Sequence, residues 1–368
     1  MTDNSHRTLE RIARRVPIPE SAYERFLRRR DRKQRNRRVS AAVLAIVLTS
    51  LSVTALMRAF GNSGRPATQP TPTPVGRGLF SGMGGWIAYG SGGIIQVMDP
   101  EQPGVRKQLS THIGEPLAWS SDGSKLLVGA RQLGPQFEHA LYVLNADGSE
   151  THLIDAGAGR LLAGGSFSPD ASEVVFADLP SDSTGDAGIY VVDADGGSPR
   201  RLLQARLLPA YGPSVRSMVY DPTFSPDGSQ IAYFDGLGDH DNTLRVMNAD
   251  GSGSHVLLKD AGVMRGAGLV NLTWSPDGSR LAFGAGYGPS RHRSIYTVGA
   301  DGSGLTRLKV RGADPQWSAD GSRIAYLAGW RQGRYVMEIA NADGTHVQRF
   351  DYAVPGPWNP LARAKVQR

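Results

Sequence analysis

The stretch WSPDGSRLAF at residues 274–283 decides the fold, because close copies of it occur four more times along the chain. The copies read WSSDGSKLLV (119–128), FSPDASEVVF (167–176), FSPDGSQIAY (224–233) and WSADGSRIAY (317–326). Successive copies start 43–57 residues apart. A recurrence at this period indicates repeated copies of one structural unit that pack against each other.

The residue types within each copy predict its local structure. Trp or Phe supplies a large apolar side chain that can pack between neighbouring units. Ser-Pro-Asp-Gly predicts a tight turn, in which proline presets φ, the carboxylate accepts from backbone N–H groups and glycine tolerates the exit geometry. The β-branched and aromatic run that follows predicts a strand. Three departures occur, with Ser121 and Ala319 at the proline position and Ala171 at the glycine position.

A second strand and turn follow each copy. They read LYVLNADG (141–148), IYVVDADG (189–196), LRVMNADG (244–251), IYTVGADG (295–302) and VMEIANADG (336–344). The Asp-Gly pair predicts a second hairpin turn, and a short run after it predicts an outer strand. Four short strands per repeat are typical of a propeller blade. The sequence therefore predicts an all-β fold, a six-bladed β-propeller over residues 80–360.

The sixth blade is divided between the two ends of this region. Residues 86–89 (WIAY), 94–98 (IIQVM) and 105–109 (VRKQL) match the second, third and fourth strands of a blade. No Trp-Ser-Pro precedes them, whereas PWNP occurs at residues 357–360. We therefore expect the C-terminal strand to complete the first blade and to close the ring.

The repeated WSPDG and NADG strings resemble the WD40-like repeats of TolB-type propellers over about 280 residues. This resemblance implies a propeller fold, a location outside the cytoplasm and protein binding. The α/β domain that precedes the propeller in TolB has no counterpart in this sequence. We therefore do not carry over TolB's own partnership with an outer-membrane lipoprotein.

The region before the propeller divides into three segments. Residues 1–38 form a basic arm with a net charge of +8, while the remainder of the chain has a net charge of −1. Residues 39–57 carry no charge and are long enough to cross a bilayer as a helix. Residues 58–79 are a Pro/Thr/Gly-rich linker, typical of an extended spacer. Residues 361–368 form a tail after the propeller.

The charge step predicts a single-pass anchor in the plasma membrane, with the N-terminus cytoplasmic and the propeller extracytoplasmic. Ser21 and Glu24 fit a helix cap, so we expect a helical arm against anionic lipid headgroups. A docking site for a cytoplasmic partner is the alternative role of the arm. A buried core helix and a cleaved signal peptide are the alternatives to the anchor. The globular part lacks a basic excess, which argues against nucleic acid as a partner.

We expect function on the propeller face opposite the SPDG and NADG turns, where loop length and sequence vary. The repeated Asp residues have a sufficient role within their turns, so we do not assign them to a calcium site. The candidate binding residues on the variable face are Glu138, His139, Asp182, Asp186, Tyr211, Arg216, Asp239, His240, Asp241, Arg291, His292, Arg293, Trp330, Arg331 and Arg334.

Binding to an envelope protein or glycan is the predicted function, with no cofactor. The chain has no cysteine, which excludes a Cys nucleophile and thiolate metal sites. No Gly-x-Ser-x-Gly elbow or HExxH motif occurs. A hydrolase that uses a metal at Glu138–His139 or Asp239–Asp241 is one alternative. A transmembrane sensor that couples envelope binding to a cytoplasmic partner is the other.

Overall fold

The computed structural model describes residues 84–360 apart from short segments. The segments left out are residues 92–93, 111–113, 133–137, 157–159, 181–186, 209–214, 237–241, 260–267, 287–292, 332–333 and 352–353. The predicted arm, membrane span, linker and tail lie outside the described residues. Within residues 84–360 as described, the structure contains no helix with the length and hydropathy that a bilayer span requires.

The described strands form six four-stranded antiparallel sheets, which we number as blades 1 to 6. From the inner to the outer edge, blade 1 consists of β24 (Val354–Trp358), β1 (Ile87–Ser91), β2 (Ile94–Asp99) and β3 (Gln102–Ser110). Blade 2 consists of β4 (Gly114–Trp119), β5 (Lys125–Gln132), β6 (Glu138–Asn145) and β7 (Glu150–Asp155). Blade 3 consists of β8 (Arg160–Phe167), β9 (Glu173–Pro180), β10 (Gly188–Asp193) and β11 (Arg200–Gln204).

The remaining blades repeat this order. Blade 4 consists of β12 (Met218–Phe224), β13 (Gln230–Gly236), β14 (Thr243–Asn248) and β15 (His255–Lys259). Blade 5 consists of β16 (Gly268–Trp274), β17 (Arg280–Gly286), β18 (Ser294–Gly299) and β19 (Thr306–Arg311). Blade 6 consists of β20 (Ala313–Trp317), β21 (Arg323–Arg331), β22 (Arg334–Asn341) and β23 (Gln348–Asp351).

The inner strand of each blade contacts the inner strand of the next, and the series closes from β20 through β24 to β4. This confirms the predicted six-bladed ring. The closing strand starts three residues earlier than the predicted PWNP, because Val354 and Pro355 already pair with Gly90 and Tyr89 of β1. Beyond Trp358, the backbone N–H of Asn359 donates to the carbonyl of Trp86 at 2.8 Å. Both ends of the propeller therefore meet at its first blade.

Apolar side chains fill the spaces between blades. The second strand of a blade is covered on both faces, so its central residues are apolar, as Val174–Ala177 shows with 0% exposure. The residue that ends each inner strand is the predicted aromatic wedge, and each is 6–8% exposed: Trp119, Phe167, Phe224, Trp274, Trp317 and Trp358. Packing between neighbouring blades, rather than within one sheet, therefore supplies most of the core.

In blades 2 to 6, the turn after the inner strand is held by its own Ser and Asp side chains, as the sequence predicts. In blade 5, Ser275 Oγ donates to Asp277 Oδ1 at 2.6 Å, and the backbone N–H of Ser279 donates to the same oxygen at 3.1 Å. The backbone N–H of Arg280 donates to Ser275 Oγ at 2.9 Å. The hydrogen bonds from Ser275 and Ser279 lower the pKa of Asp277 below its usual range. Each turn carboxylate thus acts as a local acceptor for its own hairpin.

The turn of blade 3 contains a strained residue. Ala171 has φ of 59°, whereas its counterpart in blade 5, Gly278, has φ of 70°. A left-handed backbone costs a residue with a Cβ atom roughly 1–2 kcal/mol, and glycine avoids this cost. We expect Ala171→Gly to raise the free energy of unfolding by about 1 kcal/mol, as measured by chemical denaturation.

The matched control is Gly278→Ala, which introduces the same strain in blade 5. A Cβ atom there would lie 3.7 Å from Pro226 Cδ, an ordinary contact, so only the backbone strain changes. We expect a loss of about 1 kcal/mol. If Ala171→Gly and Gly278→Ala changed the free energy of unfolding in the same direction, backbone strain would not be the cause.

Candidate functional site

A funnel-shaped cavity of about 330 Å³ opens on the face that carries the Ser-Pro-Asp-Gly turns. We call it the turn-face funnel. Its rim is formed by the second residue of each turn and by the equivalent residue of blade 1, which are Ser121, Pro169, Pro226, Pro276, Ala319 and Pro360. The next level is the ring of six aromatic wedges. The rim and this ring carry no charged side chain, so the mouth is apolar and stiffened by four prolines.

Two levels of the inner strands face the axis below the aromatic ring. Residues one position before each aromatic are small or uncharged, namely Ala118, Ser166, Thr223, Thr273, Gln316 and Pro357. Residues three positions before form the floor, which includes Gly164, Asp221 and Asn271. Asp221 is the one charged side chain among the described residues that line the funnel.

Backbone irregularities shape the floor. Asp221, Asn271 and Asp314 occupy equivalent positions in blades 4, 5 and 6, with φ of 51°, 45° and 55°. The strand register shifts at each of them. Gly164 is the equivalent residue in blade 3, and a Cβ atom there would lie 2.7 Å from the Asp221 Cα atom. Glycine is therefore required next to Asp221, and the kinked strands bring neighbouring floor residues into contact.

These floor residues are bonded across blades. The backbone N–H of Asn271 donates to Asp221 Oδ2 at 2.8 Å. One level higher, the backbone N–H of Phe224 donates to Ser166 Oγ at 2.8 Å. Trp274 Nε1 donates to the carbonyl of Thr223 at 3.3 Å. The inner strands are therefore linked around the axis, which holds the funnel in one shape.

The floor carboxyls have unusual acidities. Burial raises the pKa of Asp221 to about 6; the hydrogen bond from Asn271 opposes this shift, and the Asp314 carboxyl adds to it. Burial also raises the pKa of Asp314, against the effect of the Arg293 guanidinium. Asp221 borders the funnel but is enclosed by protein on its other sides, so it is poorly hydrated. A cation that entered the funnel would stabilise its ionised form.

The structure places only part of the predicted variable-face site. Side chains are described for three candidates, His139, Arg216 and Arg293. Four more lie in strands without a described side chain, namely Glu138, Trp330, Arg331 and Arg334. The others lie outside the described residues: Asp182, Asp186, Tyr211, Asp239, His240, Asp241, Arg291 and His292. The three described side chains belong to blades 2, 4 and 5, and the binding role of the set stays a prediction.

Arg293 is less exposed than a charge on a surface loop usually is. It is partly buried, and burial lowers its pKa while the carboxyl of Asp314 and the hydroxyl of Tyr220 oppose this effect. Tyr220 is 7% exposed, and its hydroxyl has no hydrogen-bond partner among the described residues. Asp235 lies nearby, where Arg206 Nε donates to its Oδ2 at 2.6 Å. A polar cluster thus links blades 4 and 5 beneath the variable face.

Metal-binding chemistry was an alternative for this chain. In the described ranges, no group of three or more His, Asp or Glu side chains is arranged to hold a metal ion. The His139 ring is only partly buried in β6, and its predicted partner Glu138 lacks a described side chain. Asp239–Asp241 lies outside the described residues. The hydrolase alternative therefore gains no support from the described site.

Sequence reasoning missed the turn-face funnel and its floor. The signal was present, because Asp-Pro-Thr-Phe (221–224), Asn-Leu-Thr-Trp (271–274) and Asp-Pro-Gln-Trp (314–317) share one pattern. The polar residue three positions before the aromatic marks the floor of the funnel. Only the ring closure shows that these positions converge.

Six four-stranded blades, closed by the last strand around an axial funnel, define a six-bladed β-propeller. The fold is similar to that of TolB from Acinetobacter baumannii, with a TM-score of 0.58 and 17% identity over 77% of this chain and 67% of that chain. A putative TolB from Agrobacterium tumefaciens gives a TM-score of 0.52 and 21% identity over 75% of this chain and 93% of that chain.

A chain of the nidogen/laminin complex gives a TM-score of 0.54 and 13% identity, over 74% of this chain and 97% of that chain. No protein-family model and no curated protein sequence matches this chain. At these identities the similarity establishes the fold. The function is therefore argued from the site.

Proposed function

We propose that this chain is a membrane-anchored binding scaffold whose propeller lies outside the cytoplasm and holds an extended segment of an envelope protein in the turn-face funnel. The observation that carries this proposal is the funnel itself, with its mostly apolar rim, its ring of six aromatics and Asp221 as the one charged side chain among its described lining residues. Cavities of this size with few convergent polar groups are typical of binding sites.

The apolar mouth favours a protein segment over a glycan. The rim and the aromatic ring contribute four prolines and four tryptophans, and Ser121 is the one hydroxyl-bearing residue of the rim. Trp119 Nε1 donates to the carbonyl of Pro357 at 3.0 Å, so this donor is engaged within the ring. The Nε1 groups of Trp317 and Trp358 have no partner among the described residues, but two donors satisfy only a small part of the hydroxyl groups of a sugar. A sugar would leave many hydroxyl groups unpaired in such a mouth, and unpaired buried polar groups are costly. An extended apolar segment meets the same surface without that cost.

The location follows from the sequence. The uncharged residues 39–57 and the basic arm before them support an anchor with the arm inside the cell. Reporter fusions after residue 38 and after residue 368 test it, and a cytoplasmic signal from both would contradict it. The described part of the propeller begins at the turn face, where the backbone N–H of Gly85 donates to the carbonyl of Asn359 at 3.1 Å. An anchor that precedes it would therefore lie on the same side as the funnel.

We expect the full chain, solubilised from membranes with detergent, to capture an envelope protein, and Thr273→Arg to abolish that capture. Thr273 faces the funnel between the aromatic ring and the floor, so arginine there fills the cavity. The measurement is mass spectrometry of captured proteins, with at least a tenfold loss of the specific partner.

Thr306→Arg is the matched control, because it places the same side chain on the exposed outer strand β19. Arg291→Glu tests the predicted variable-face site, and it is preferable to a change at the partly buried Arg293. Capture that survives Thr273→Arg and is lost in Arg291→Glu would contradict the funnel and favour the variable face.

A further inference from the structure

Among the described residues, no cationic side chain pairs with the floor carboxyl of the funnel. Asp221 accepts a hydrogen bond from the backbone of Asn271, and the other described group that affects its acidity is another carboxyl, Asp314. No lysine, arginine or histidine occurs among the described residues that line the funnel. An enclosed carboxylate without a cationic partner is unfavourable, and a positive charge in the cavity relieves it. A basic side chain in the funnel would therefore relieve the unfavourable burial of Asp221.

The chain carries such a side chain directly beside the funnel. Pro360 is a rim residue, and residues 361–368, LARAKVQR, follow it without a break. This segment contains Arg363, Lys365 and Arg368 and no acidic residue. Its other residues include two alanines, which are small enough for a narrow axial passage. Charge and size thus both match the funnel.

The lengths also match. Pro226 on the rim follows Asp221 on the floor by five residues of the same blade, which is at most about 16 Å at roughly 3.3 Å per strand residue, because the strand is kinked at Asp221 and Pro226 lies in the turn. Five extended residues after Pro360 cover the same distance and end at Lys365. In an extended segment, Leu361, Arg363 and Lys365 lie on one side and the alanines on the other. The lysine side chain adds further reach.

We propose that residues 361–368 fold back into the turn-face funnel and place Lys365 beside Asp221. The chain's own tail then occupies the site that an envelope partner would use, and a partner must displace it. This inference rests on the proposed function, because it describes the regulation of the same site. The funnel then prefers extended segments in which a basic residue lies about five positions after the residue that enters the rim.

The test compares the full chain with a form that stops after Pro360, both purified in detergent. The probe is the synthetic peptide LARAKVQR, and binding is measured by isothermal titration calorimetry and tryptophan fluorescence. Four of the six tryptophans lie in the aromatic ring, so occupancy of the funnel changes the emission. We expect saturable one-to-one binding to the shortened form, and at least tenfold weaker binding to the full chain.

The required affinity is modest. A short tether gives an effective concentration on the order of 1 mM, so a dissociation constant of about 0.1 mM in trans gives the expected tenfold weakening in the full chain. A dissociation constant above about 1 mM for the shortened form would overturn the proposal, because the tail would then leave the funnel mostly empty. Equal binding of the peptide by the full chain and the shortened form would also overturn it, because the funnel would then be open in both.

Two changes test the contact itself. Asp221→Asn in the shortened form, and Lys365→Glu in the peptide, should each weaken binding at least tenfold. A peptide of the same composition in reversed order, RQVKARAL, controls for general charge attraction, and its equal binding would contradict the proposal.

The outcome is separable from that of the proposed function. Loss of an envelope partner in Thr273→Arg without peptide binding would leave the scaffold function standing and overturn the role of the tail. Peptide binding without any captured partner would support the tail contact and contradict the scaffold function.

Discussion

A chain that ends at residue 353 should fail to form a stable propeller, because it lacks the strand that closes the ring. Without β24, the wholly buried Ile87 and Tyr89 of β1 lose their inner neighbour. Trp119 loses the carbonyl of Pro357 as an acceptor, and the core between blades 6 and 1 loses Trp358. We expect no cooperative thermal transition by circular dichroism and rapid proteolysis of the whole domain.

A single substitution tests the same closure without removal of the strand. Gly356 is buried in β24, and a Cβ atom there would lie 2.4 Å from the carbonyl oxygen of Ala88 and 2.9 Å from Pro116 Cγ. Backbone atoms cannot give way as a flexible side chain can, so Gly356→Ala must separate β24 from β1. We expect a loss of about 3 kcal/mol or more, which lowers the melting temperature by roughly 10 °C.

Gly104→Ala is the control for Gly356→Ala. A Cβ atom at Gly104 would meet no atom within 4 Å, and its φ lies outside the left-handed region. We expect its effect to stay within about 0.5 kcal/mol. A melting temperature for Gly356→Ala that matches that of Gly104→Ala would mean that the closing strand contributes little to stability.

The fold was predictable because its determinants are local. Each turn contains its own Ser and Asp side chains, and most turns also contain a proline or a glycine, so the hairpins are determined within about six residues. The aromatic wedge and the apolar second strand then indicate which faces of each blade are buried. The closing strand was predictable for a different reason, since blade 1 lacked an inner strand and Trp358 supplied the missing wedge.

The candidate site was less predictable, because its residues are distant in sequence and come together only in the closed ring. Asp221 and Asn271 are 50 residues apart, and only the packing of adjacent blades brings the backbone of one to the carboxylate of the other. Loop variability directed attention to the opposite face. On that face, the sequence predicts that Arg293 is an exposed loop charge. In the structure it lies partly buried near Tyr220. A residue's loop position does not reveal what packs beneath it.

The pH dependence of stability provides a direct test of the funnel floor. The pKa of Asp221 is about 6 in the folded protein and 3.8 without its surroundings, so folding is penalised when this group must remain ionised. The penalty is complete above pH 6 and disappears below about pH 4, and it amounts to at most about 3 kcal/mol. In the form that stops after Pro360, in which the tail cannot occupy the funnel, the free energy of unfolding should therefore rise as the pH is lowered from 7 to about 4.

The turn carboxylates act in the opposite direction at lower pH. Hydrogen bonds from Ser168 and Ser172 lower the pKa of Asp170 to about 2, and Asp320 has a similar pKa for the same reason. Their stabilising effect is present above about pH 4 and is lost as the pH falls to 2. Stability should consequently reach its maximum near pH 4, below the range in which many proteins are most stable.

Asp221→Asn should remove the change in stability between pH 7 and 4, and it should leave the change between pH 4 and 2, the acid limb, unaltered. An Asn amide oxygen can still accept from the backbone N–H of Asn271, but it carries no charge to desolvate. Both forms are compared without the tail, so that Lys365 cannot stabilise the ionised carboxyl. In the form that stops after Pro360, we expect the variant to exceed the unsubstituted protein at pH 7 by up to about 3 kcal/mol and to equal it near pH 4. Asp277→Asn is the control, since it alters a turn carboxylate and should affect only the acid limb. Urea denaturation at each pH measures both, and a shortened form whose stability is constant from pH 7 to 4 would show that the Asp221 carboxyl is well hydrated in the funnel.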